Sequence, residues 1–236
     1  MLTRRLFCGC VAASVPFVRT SAHAQGSSEC AVFTPARQKE TSPAEAIARL
    51  KAGNERFVAG KTVNCNLLAQ AKETSAKQAP FAAIVGCIDS RVPPELVFDQ
   101  RIGDVFCARV AGNFVNTDIV GSLEYSAKVA GAKAIVVLGH VDCGAIKSAI
   151  DNVQLGNITA LLANIKPVVA AVGKVDGGNN SHNKYLVQKV TEANARMAAE
   201  NITRRSPILK ELVDAKQLVV LAAVHDLASG KVFWLS

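Results

Sequence analysis

The sequence predicts an α/β domain whose sheet is mostly parallel, with one antiparallel edge strand, flanking helices and an N-terminal helical arm. Short, continuous apolar runs are typical of strands buried on both faces, and here they recur between segments of helical periodicity. Half of the 236 residues are hydrophobic, which is enough for one sizeable core. This composition excludes a disordered chain, and no apolar run reaches the roughly 18 residues that a membrane span needs.

The first 24 residues have the layout of a secretory signal rather than of a folded element. Arg4 and Arg5 precede an apolar stretch from Leu6 to Val18, and Ala22-His23-Ala24 supplies the small residues of a cleavage position. We expect cleavage after Ala24, export by the twin-arginine route and a periplasmic protein whose single domain spans residues 25–236. A short membrane anchor or an ordinary basic N-terminus is the alternative.

The charge distribution argues against a nucleic-acid partner. Cleavage after Ala24 would remove three arginines and no acidic residue, which lowers the formal net charge from +8 to +5. The remaining positive charge is spread along the chain without a basic run or a basic stripe interleaved with aromatic residues. A mildly basic surface suits an anionic substrate or product, and stable membrane insertion is not expected.

Five apolar runs give the predicted strands. The last two are joined by turn residues, so they form a hairpin that supplies the antiparallel edge. The runs are Phe81–Val85, Val105–Val110, Ala134–Leu138, Leu218–Val224 and Lys231–Leu235.

Helical periodicity fills the segments around these runs. The arm helix begins at the capping box Ser42-Pro43-Ala44-Glu45 and ends near Gly60. The polar segments 25–41 and 62–78 lack periodicity, and we expect at most one short helix, in the second of them. The remaining predicted helices are Thr117–Ala130, Gly144–Ile150, Ile158–Val172, Tyr185–Asn201 and Pro207–Ala215.

Metal-ligating residue types follow the first and third predicted strands. Cys87 comes just after the first, and His140 and Cys143 come just after the third. The carboxyl ends of the strands are the ligand-binding edge of an open parallel sheet, so we expect these three side chains to converge. Two thiolates and one imidazole suit tetrahedral Zn²⁺, and three protein ligands leave the open position that a catalytic zinc requires.

Asp89 and Arg91 lie next to this cluster in sequence and leave two arrangements open. Asp89 could be a fourth zinc ligand that closes the site, or it could pair with Arg91 and leave zinc open to water. In the second case zinc would lower the pKa of its water from about 15.7 to about 7. The carboxylate held by Arg91 would then accept a hydrogen bond from the hydroxide and orient it.

These motifs resemble those of the β-class carbonic anhydrases over nearly all of the chain after residue 24. The resemblance implies reversible hydration of carbon dioxide to bicarbonate and a proton, by attack of zinc-bound hydroxide on CO₂. It implies Zn²⁺ as the cofactor, held by Cys87, His140 and Cys143, with Asp89 and Arg91 as the catalytic dyad. The segments that carry it include Gly53-Asn54-Glu55-Arg56-Phe57, Cys87-Ile88-Asp89-Ser90-Arg91, Arg109-Val110-Ala111-Gly112-Asn113, Gly121-Ser122-Leu123-Glu124-Tyr125, and Gly139-His140 with Cys143-Gly144.

The resemblance also implies a substrate pocket and a quaternary structure. Gln78, Phe106 and Tyr125 would line the pocket and Gly112 would supply a backbone donor, a set that favours the open site over the Asp89-ligated one. A homodimer, or a tetramer built from dimers, is implied, with each active site near the boundary between two chains. The apolar stripe of the arm helix around Phe57 is expected to take part in that contact.

Three other functions are weighed against this one. The same scaffold could hydrolyse CS₂ or COS, which are linear like CO₂. A non-catalytic zinc protein would not need Arg91, and a thiol-redox protein would be expected to have a Cys-x-x-Cys pair, which is missing.

Cys30 and Cys65 lie outside the site, and in an oxidising compartment they could pair, although connectivity cannot be deduced from sequence. His182 and His225 are expected to be surface or capping residues, with a proton relay as the alternative.

Overall fold

The computed structural model describes residues 28–235, so the predicted signal segment and its cleavage position lie outside the described residues. A five-stranded sheet has the order β2-β1-β3-β4-β5. All neighbouring pairs are parallel except β4 and β5, which are antiparallel, and the predicted fold class is thereby confirmed. The strands are β1 (Ala82–Gly86), β2 (Val105–Arg109), β3 (Ala134–His140), β4 (Val219–His225) and β5 (Val232–Leu235).

Burial on both faces explains why the strands could be located from continuous apolar runs. Every residue of β1 and of β3 is buried. Alternate residues point to opposite faces of a strand, so Ile84 packs into the core layer beneath one face while Ala83 and Val85 pack into the layer beneath the other. Each observed strand begins and ends within two residues of its prediction.

Helices cover both faces of the sheet. A π-helical turn, Tyr125–Val129, continues the fifth helix directly. None of the described helices is long and apolar enough to cross a membrane. The α-helices are α1 (Pro35–Glu40), α2 (Pro43–Val58), α3 (Leu67–Thr74), α4 (Pro94–Val97), α5 (Thr117–Glu124), α6 (Gly144–Ile150), α7 (Gly156–Leu162), α8 (Lys166–Val172), α9 (Lys184–Arg205) and α10 (Pro207–Asp214).

Two helix predictions were wrong, one because a proline interrupts the helix and the other because the helix is short. The segment 158–172 forms two helices, α7 and α8, because the ring of Pro167 would clash with the carbonyl group of Ala163 in a continuous helix. The segment 25–41 contains α1, which begins with Pro35 after the capping side chain of Thr34. A helix of one and a half turns is too short to produce a periodic pattern.

The arm helix α2 has its predicted capping box, and the first part of its apolar stripe packs within the chain. Ser42 Oγ accepts a hydrogen bond from the backbone N–H of Glu45, and the Glu45 carboxylate accepts one from the N–H of Ser42 at 2.8 Å. Its apolar stripe, including Ile47 and Leu50, is buried against the chain's own sheet. Towards the end of the helix, Phe57 is only half-buried and Val58 is exposed, so this part of the stripe stays accessible to a second chain.

Gly53 is the position where α2 comes closest to the segment that follows α4. A Cβ atom at Gly53 would lie 1.8 Å from the carbonyl oxygen of Phe98. Gly53→Ala is therefore expected to lower the free energy of unfolding by at least about 2 kcal/mol, because the steric cost outweighs the roughly 1 kcal/mol that alanine gains over glycine in a helix. Urea denaturation measures this difference.

Gly121→Ala is the matched control for Gly53→Ala. Gly121 is also helical, and a Cβ atom there would meet nothing within 4 Å. This variant should be as stable as the wild type or more stable. Equal stability of the two alanine variants would contradict the close approach of α2 to Phe98.

A disulfide joins Cys30 to Cys65, with a Cα–Cα distance of 5.5 Å. It fixes the described N-terminal segment to the loop before α3. Within α3, the Gln70 amide also donates a hydrogen bond to the Cys30 carbonyl oxygen at 2.8 Å. The open question of how these two cysteines are connected is answered by the fold, which brings together residues separated by 35 positions.

Replacing both disulfide cysteines by serine is expected to lower the free energy of unfolding by about 2–4 kcal/mol, since the cross-link restricts the unfolded chain. Thermal and urea unfolding of the wild type with and without a reductant, and of the double variant, measure this effect. The reductant should destabilise the wild type and leave the double variant unchanged. A reductant effect of equal size in both would contradict the assignment.

Candidate metal centre

Two adjacent strand ends and one helix start position the residues of the metal centre. Cys87 follows β1 directly, His140 is the last residue of β3, and Cys143 precedes the first residue of α6. Because Gly86 of β1 is in register with Leu138 of β3, both strands reach the same edge of the sheet. The topology therefore brings together the three residues that the sequence nominated.

The three candidate ligand atoms have a spacing that suits a tetrahedral metal. The Sγ atoms of Cys87 and Cys143 and a ring nitrogen of His140 all lie within 4.8 Å of one another, and all three residues are buried. The two sulfur atoms are 4.0 Å apart. Two thiolates on a tetrahedral zinc, each at about 2.3 Å from the metal, would be about 3.8 Å apart.

The hydrogen bonding of His140 leaves one ring nitrogen for a metal. Its Nδ1 lies 2.9 Å from the carbonyl oxygen of Val141. A carbonyl oxygen only accepts hydrogen bonds, so the proton resides on Nδ1 and the lone pair on Nε2. Nε2 is buried and has no hydrogen-bond partner in the described part of the chain. A buried nitrogen without a partner, directed at two thiols, fits a metal ligand whose orientation is set by its other nitrogen.

The two thiols differ in their protonation. A hydrogen bond from the Cys143 thiol, aided by the backbone N–H of Gly112, lowers the pKa of Cys87 below its usual range. The same hydrogen bond and burial raise the pKa of Cys143 above its usual range. Cys87 is accordingly a thiolate at neutral pH, which is the form that binds metals.

Asp89 is held by Arg91 in a bidentate ion pair beside the cluster. Arg91 donates from Nε to Oδ1 at 2.9 Å and from Nη2 to Oδ2 at 2.7 Å. These hydrogen bonds keep the pKa of Asp89 below its usual range, so its carboxylate is ionised at neutral pH. Asp89 Oδ2 is also 3.8 Å from Nε2 of His140, which places the carboxylate next to the ligand atoms. Asp89 is thus paired with Arg91 and also lies close to the ligand atoms.

Gly112 contacts a candidate ligand of the metal centre. Its backbone N–H donates to Sγ of Cys87 at 3.4 Å. Its φ of +82° and the proximity of Ile165 Cδ1, 2.5 Å from a Cβ atom built there, both require glycine. The Asn194 side chain fixes this peptide by donating to the Gly112 carbonyl oxygen at 2.8 Å.

Arg109 and Asn194 are positioning residues that the sequence did not nominate. Arg109 donates to the carbonyl oxygens of Cys87 and Asp89, at 2.8 and 2.7 Å, and so holds the loop that carries both side chains. Arg109 begins the Arg-Val-Ala-Gly-Asn segment at the end of β2, and a charged residue at the ligand-binding edge of the sheet could have indicated a positioning role. Asn194 lies in the middle of α9, where no local pattern marks it.

The predicted pocket residues Gln78, Phe106 and Tyr125 lie away from the cluster of candidate ligands in the same chain, which we call the metal cluster. Gln78 and Tyr125 line one cavity of about 810 Å³, and the rings of Phe106 and Tyr125 make an edge-to-face contact at 6.3 Å. Phe106 is in register with Ala83, three residues before the end of β1. At about 3.3 Å per residue this is about 10 Å from the ligand edge. These three residues therefore form a group towards the amino ends of the strands, whereas the candidate ligands lie at the carboxyl ends.

The two remaining histidines of the described chain differ from each other. His182 is exposed, as expected, and shares with Asp142 a cavity of about 620 Å³ beside the metal loop. His225 is buried and in register with His140, so its predicted surface position was wrong. Burial lowers the pKa of His225, which favours its neutral form.

Comparisons with known proteins agree with this centre. The family model described as carbonic anhydrase matches residues 82–232. "Carbonic anhydrase 2" of Mycobacterium tuberculosis is 32% identical over 200 residues, which are 81% of this chain and 92% of the relative. The "Carbonic anhydrase" of Mycolicibacterium smegmatis is 35% identical over 199 residues, 81% of this chain and 93% of the relative.

Solved structures resemble the fold in the same way. The Coccomyxa β-carbonic anhydrase in complex with acetazolamide has a TM-score of 0.62 and 28% identity, and the match covers 70% of this chain and 75% of the other. A tetrameric β-carbonic anhydrase of Sordaria macrospora has a TM-score of 0.60 and 25% identity, over 70% and 85% of the two chains. The chain therefore belongs to the β-carbonic anhydrase family, a family of carbonate dehydratases.

Proposed function

We propose that this chain catalyses the reversible hydration of carbon dioxide to bicarbonate and a proton, with zinc held by Cys87, His140 and Cys143 and with Asp89 and Arg91 as the catalytic dyad. The observation that carries the proposal is the contact between two features. Three buried ligand atoms lie within 4.8 Å of one another, and an ionised carboxylate, held by Arg91, lies 3.8 Å from one of them.

The donor set favours zinc among the divalent metals. Two thiolates and one imidazole are soft or borderline ligands, whereas calcium and magnesium prefer oxygen. Three protein ligands would leave one tetrahedral position open, and in this proposal Asp89 stays paired with Arg91 and does not fill that position. When bound, zinc supplies a coordinated water whose pKa is near neutrality.

Asp89 has the chemistry of a group that orients a nucleophile. Its carboxylate is ionised and can only accept hydrogen bonds, so it selects the orientation in which a nearby O–H points at Asp89 and a lone pair points elsewhere. Arg91 fixes the carboxylate in a planar fork and keeps its charge. Arg109 and Gly112 hold the backbone and sulfur of Cys87 in place, which limits motion of the whole loop.

A second copy of this chain completes the substrate pocket in this proposal. Gln78, Phe106 and Tyr125 form a group of polar and aromatic side chains remote from their own chain's metal cluster. Tyr125 is half-exposed, so its ring is available to another chain. A two-fold dimer would place this group of each chain over the metal cluster of its partner, with the site open to substrate.

Co-expression of two inactive variants tests this shared site. Asp89→Asn and Tyr125→Ala chains with different affinity tags should each be nearly inactive alone. Doubly tagged heterodimers should regain activity at one of their two sites, about half of the wild-type value per dimer. Heterodimers as inactive as either parent would contradict the contribution of Tyr125 across the interface.

Export to the periplasm remains part of the proposal. The segment Met1–Ala24 supports it by its basic start, apolar stretch and small-residue end. The Cys30–Cys65 disulfide supports it independently, because disulfides persist in oxidising compartments. Fractionation of cells expressing the full chain, followed by N-terminal sequencing, should give a periplasmic protein that begins at Gln25. A cytoplasmic protein with an intact N-terminus would contradict export.

Stopped-flow CO₂ hydration by the chain from Gln25 onward, with its zinc content measured, tests the function. Rapid hydration that is lost with a chelator and restored by zinc is the expected result. Full zinc occupancy without hydration from neutral to alkaline pH would overturn the proposal. Hydrolysis of CS₂ or COS by the same preparation would then identify the reaction.

A further inference from the structure

A cavity lined by arginines lies away from the candidate metal ligands, between the N-terminal segment, α1, α2 and the segment before β2. Its volume is about 500 Å³. Arg101 precedes β2, at the opposite end of the strands from Cys87 and His140. We name this the arginine cavity, and its charged lining residues are Glu29, Arg37, Arg49, Arg56, Asp99 and Arg101.

Carboxylates compensate only part of the positive charge of the arginine cavity. Asp99 pairs with both Arg56 and Arg101, at 2.5 and 3.0 Å. Arg49 pairs with Asp104, which lies outside the lining, at 3.4 Å. The lining itself has four arginines and two carboxylates, Glu29 and Asp99. Two more carboxylates, Glu40 and Glu45, line a neighbouring cavity together with Arg37 and Arg49.

Arg37 is not paired with any of these carboxylates. Its guanidinium lies over the ring of Phe33, with 4.9 Å between Cζ and the ring centroid. No carboxylate of the described residues lies within 4.0 Å of it, and it is exposed at the mouth of the cavity.

Two of the lining arginines have buried donors without partners. The Arg101 side chain is 5% exposed, and its Nε has no hydrogen-bond partner in the described part of the chain. Nε of Arg49 is likewise buried and unpartnered. Guanidinium groups stay protonated, so each of these N–H groups is a donor without an acceptor. Leaving such a donor unpaired in the interior is unfavourable, because it has lost its hydrogen bonds to water.

The arginines also repel one another. Burial lowers the pKa of Arg49 despite the opposing effect of Asp104, and the charges of Arg37 and Arg101 add to this lowering. A negative charge between these three side chains would remove the repulsion and supply the missing acceptors.

We propose that the arginine cavity binds a small tetrahedral oxyanion of the phosphate or sulfate class, held by Arg37, Arg49 and Arg101. A planar guanidinium donates two parallel hydrogen bonds to the oxygens of such an anion. An anion with several oxygens meets donors on three sides, whereas chloride has no directional match. The bound anion would connect α1, α2 and the segment before β2 without touching the catalytic residues.

Calorimetric titration of the zinc-loaded enzyme with inorganic phosphate, at constant ionic strength in chloride, tests the proposal. The wild type is expected to bind phosphate saturably. Arg37→Gln should weaken binding at least tenfold and leave CO₂ hydration unchanged, because Arg37 is exposed and remote from the metal cluster. Arg204→Gln, which removes an exposed arginine of α9, should bind like the wild type.

Arg101→Lys is a second test variant, because lysine keeps the positive charge but lacks the planar guanidinium that donates two parallel hydrogen bonds. It should also weaken phosphate binding, and a circular dichroism spectrum like that of the wild type would exclude unfolding as the cause. No saturable binding by the wild type would overturn the proposal. Equal affinity in the wild type and Arg37→Gln would overturn it as well, since the phosphate would then bind elsewhere, including at the metal.

Discussion

Cys143→Ala is expected to abolish stoichiometric metal binding and to reduce CO₂ hydration to the uncatalysed rate. Cys143 supplies one of only three ligand atoms in the cluster. Its removal leaves one thiolate and one imidazole, too few ligands to hold a structured tetrahedral site. Elemental analysis after gel filtration measures the metal, and stopped-flow hydration measures the activity.

Cys107→Ala is the matched control for Cys143→Ala. Cys107 is also a free cysteine, but it lies on β2, packs against the core and is absent from the ligand cluster. This variant should retain full metal and full turnover. A Cys143→Ala protein that is folded and fully metal-loaded would contradict the assignment of the ligand set.

Asp89→Asn is expected to retain the metal and to lose at least about 100-fold in turnover, the scale of loss that follows misplacement of a reacting group. Asparagine has the shape of aspartate but lacks its charge, so the bidentate pair with Arg91 is lost. Its NH₂ group would also present donors where the proposal requires an acceptor. Turnover at saturating CO₂ and metal content of the same preparation give both readouts.

Asp142→Asn is the matched control for Asp89→Asn. Asp142 lies between the ligands His140 and Cys143 in sequence, and it pairs with Lys147 rather than with Arg91. Its φ of +57° lies in the left-handed region, which asparagine tolerates. This variant should keep most of the wild-type turnover. Equal losses in the two variants would point to general disturbance of the metal loops, and an undiminished Asp89→Asn rate would refute the dyad.

The two central strands could be predicted because they are buried on both faces. In β1 and β3 this burial produces a continuous run of apolar residues in the sequence, and the candidate metal ligands stand at or just after the end of each strand. Short helices such as α1 and α4 gave no comparable signature, because one or two turns do not repeat a period. The division of 158–172 into two helices could have been predicted from Pro167, because proline interrupts a continuous helix.

The metal cluster was predictable from topology as well as from motif. Parallel strands end at a common edge, so Cys87 and His140 were expected to meet even though 53 positions separate them. Local sequence also placed Asp89 two residues from Arg91, at a spacing that lets the guanidinium fold back on the carboxylate. Whether the carboxylate would face Arg91 or the ligand atoms was left open, since both are within reach of one short loop.

The sequence by itself determined the fold class, the strand ends and the residue types that meet at the ligand edge, because these depend on periodicity and strand direction. Only the tertiary structure decided that Gly112 donates to Cys87, that Asn194 fixes Gly112 and that α2 covers its own sheet. It also decided that Gln78, Phe106 and Tyr125 gather towards the opposite end of the strands, and that four arginines surround one cavity. These contacts join residues distant in sequence, and their distances follow from strand register and helix packing, which no local pattern encodes.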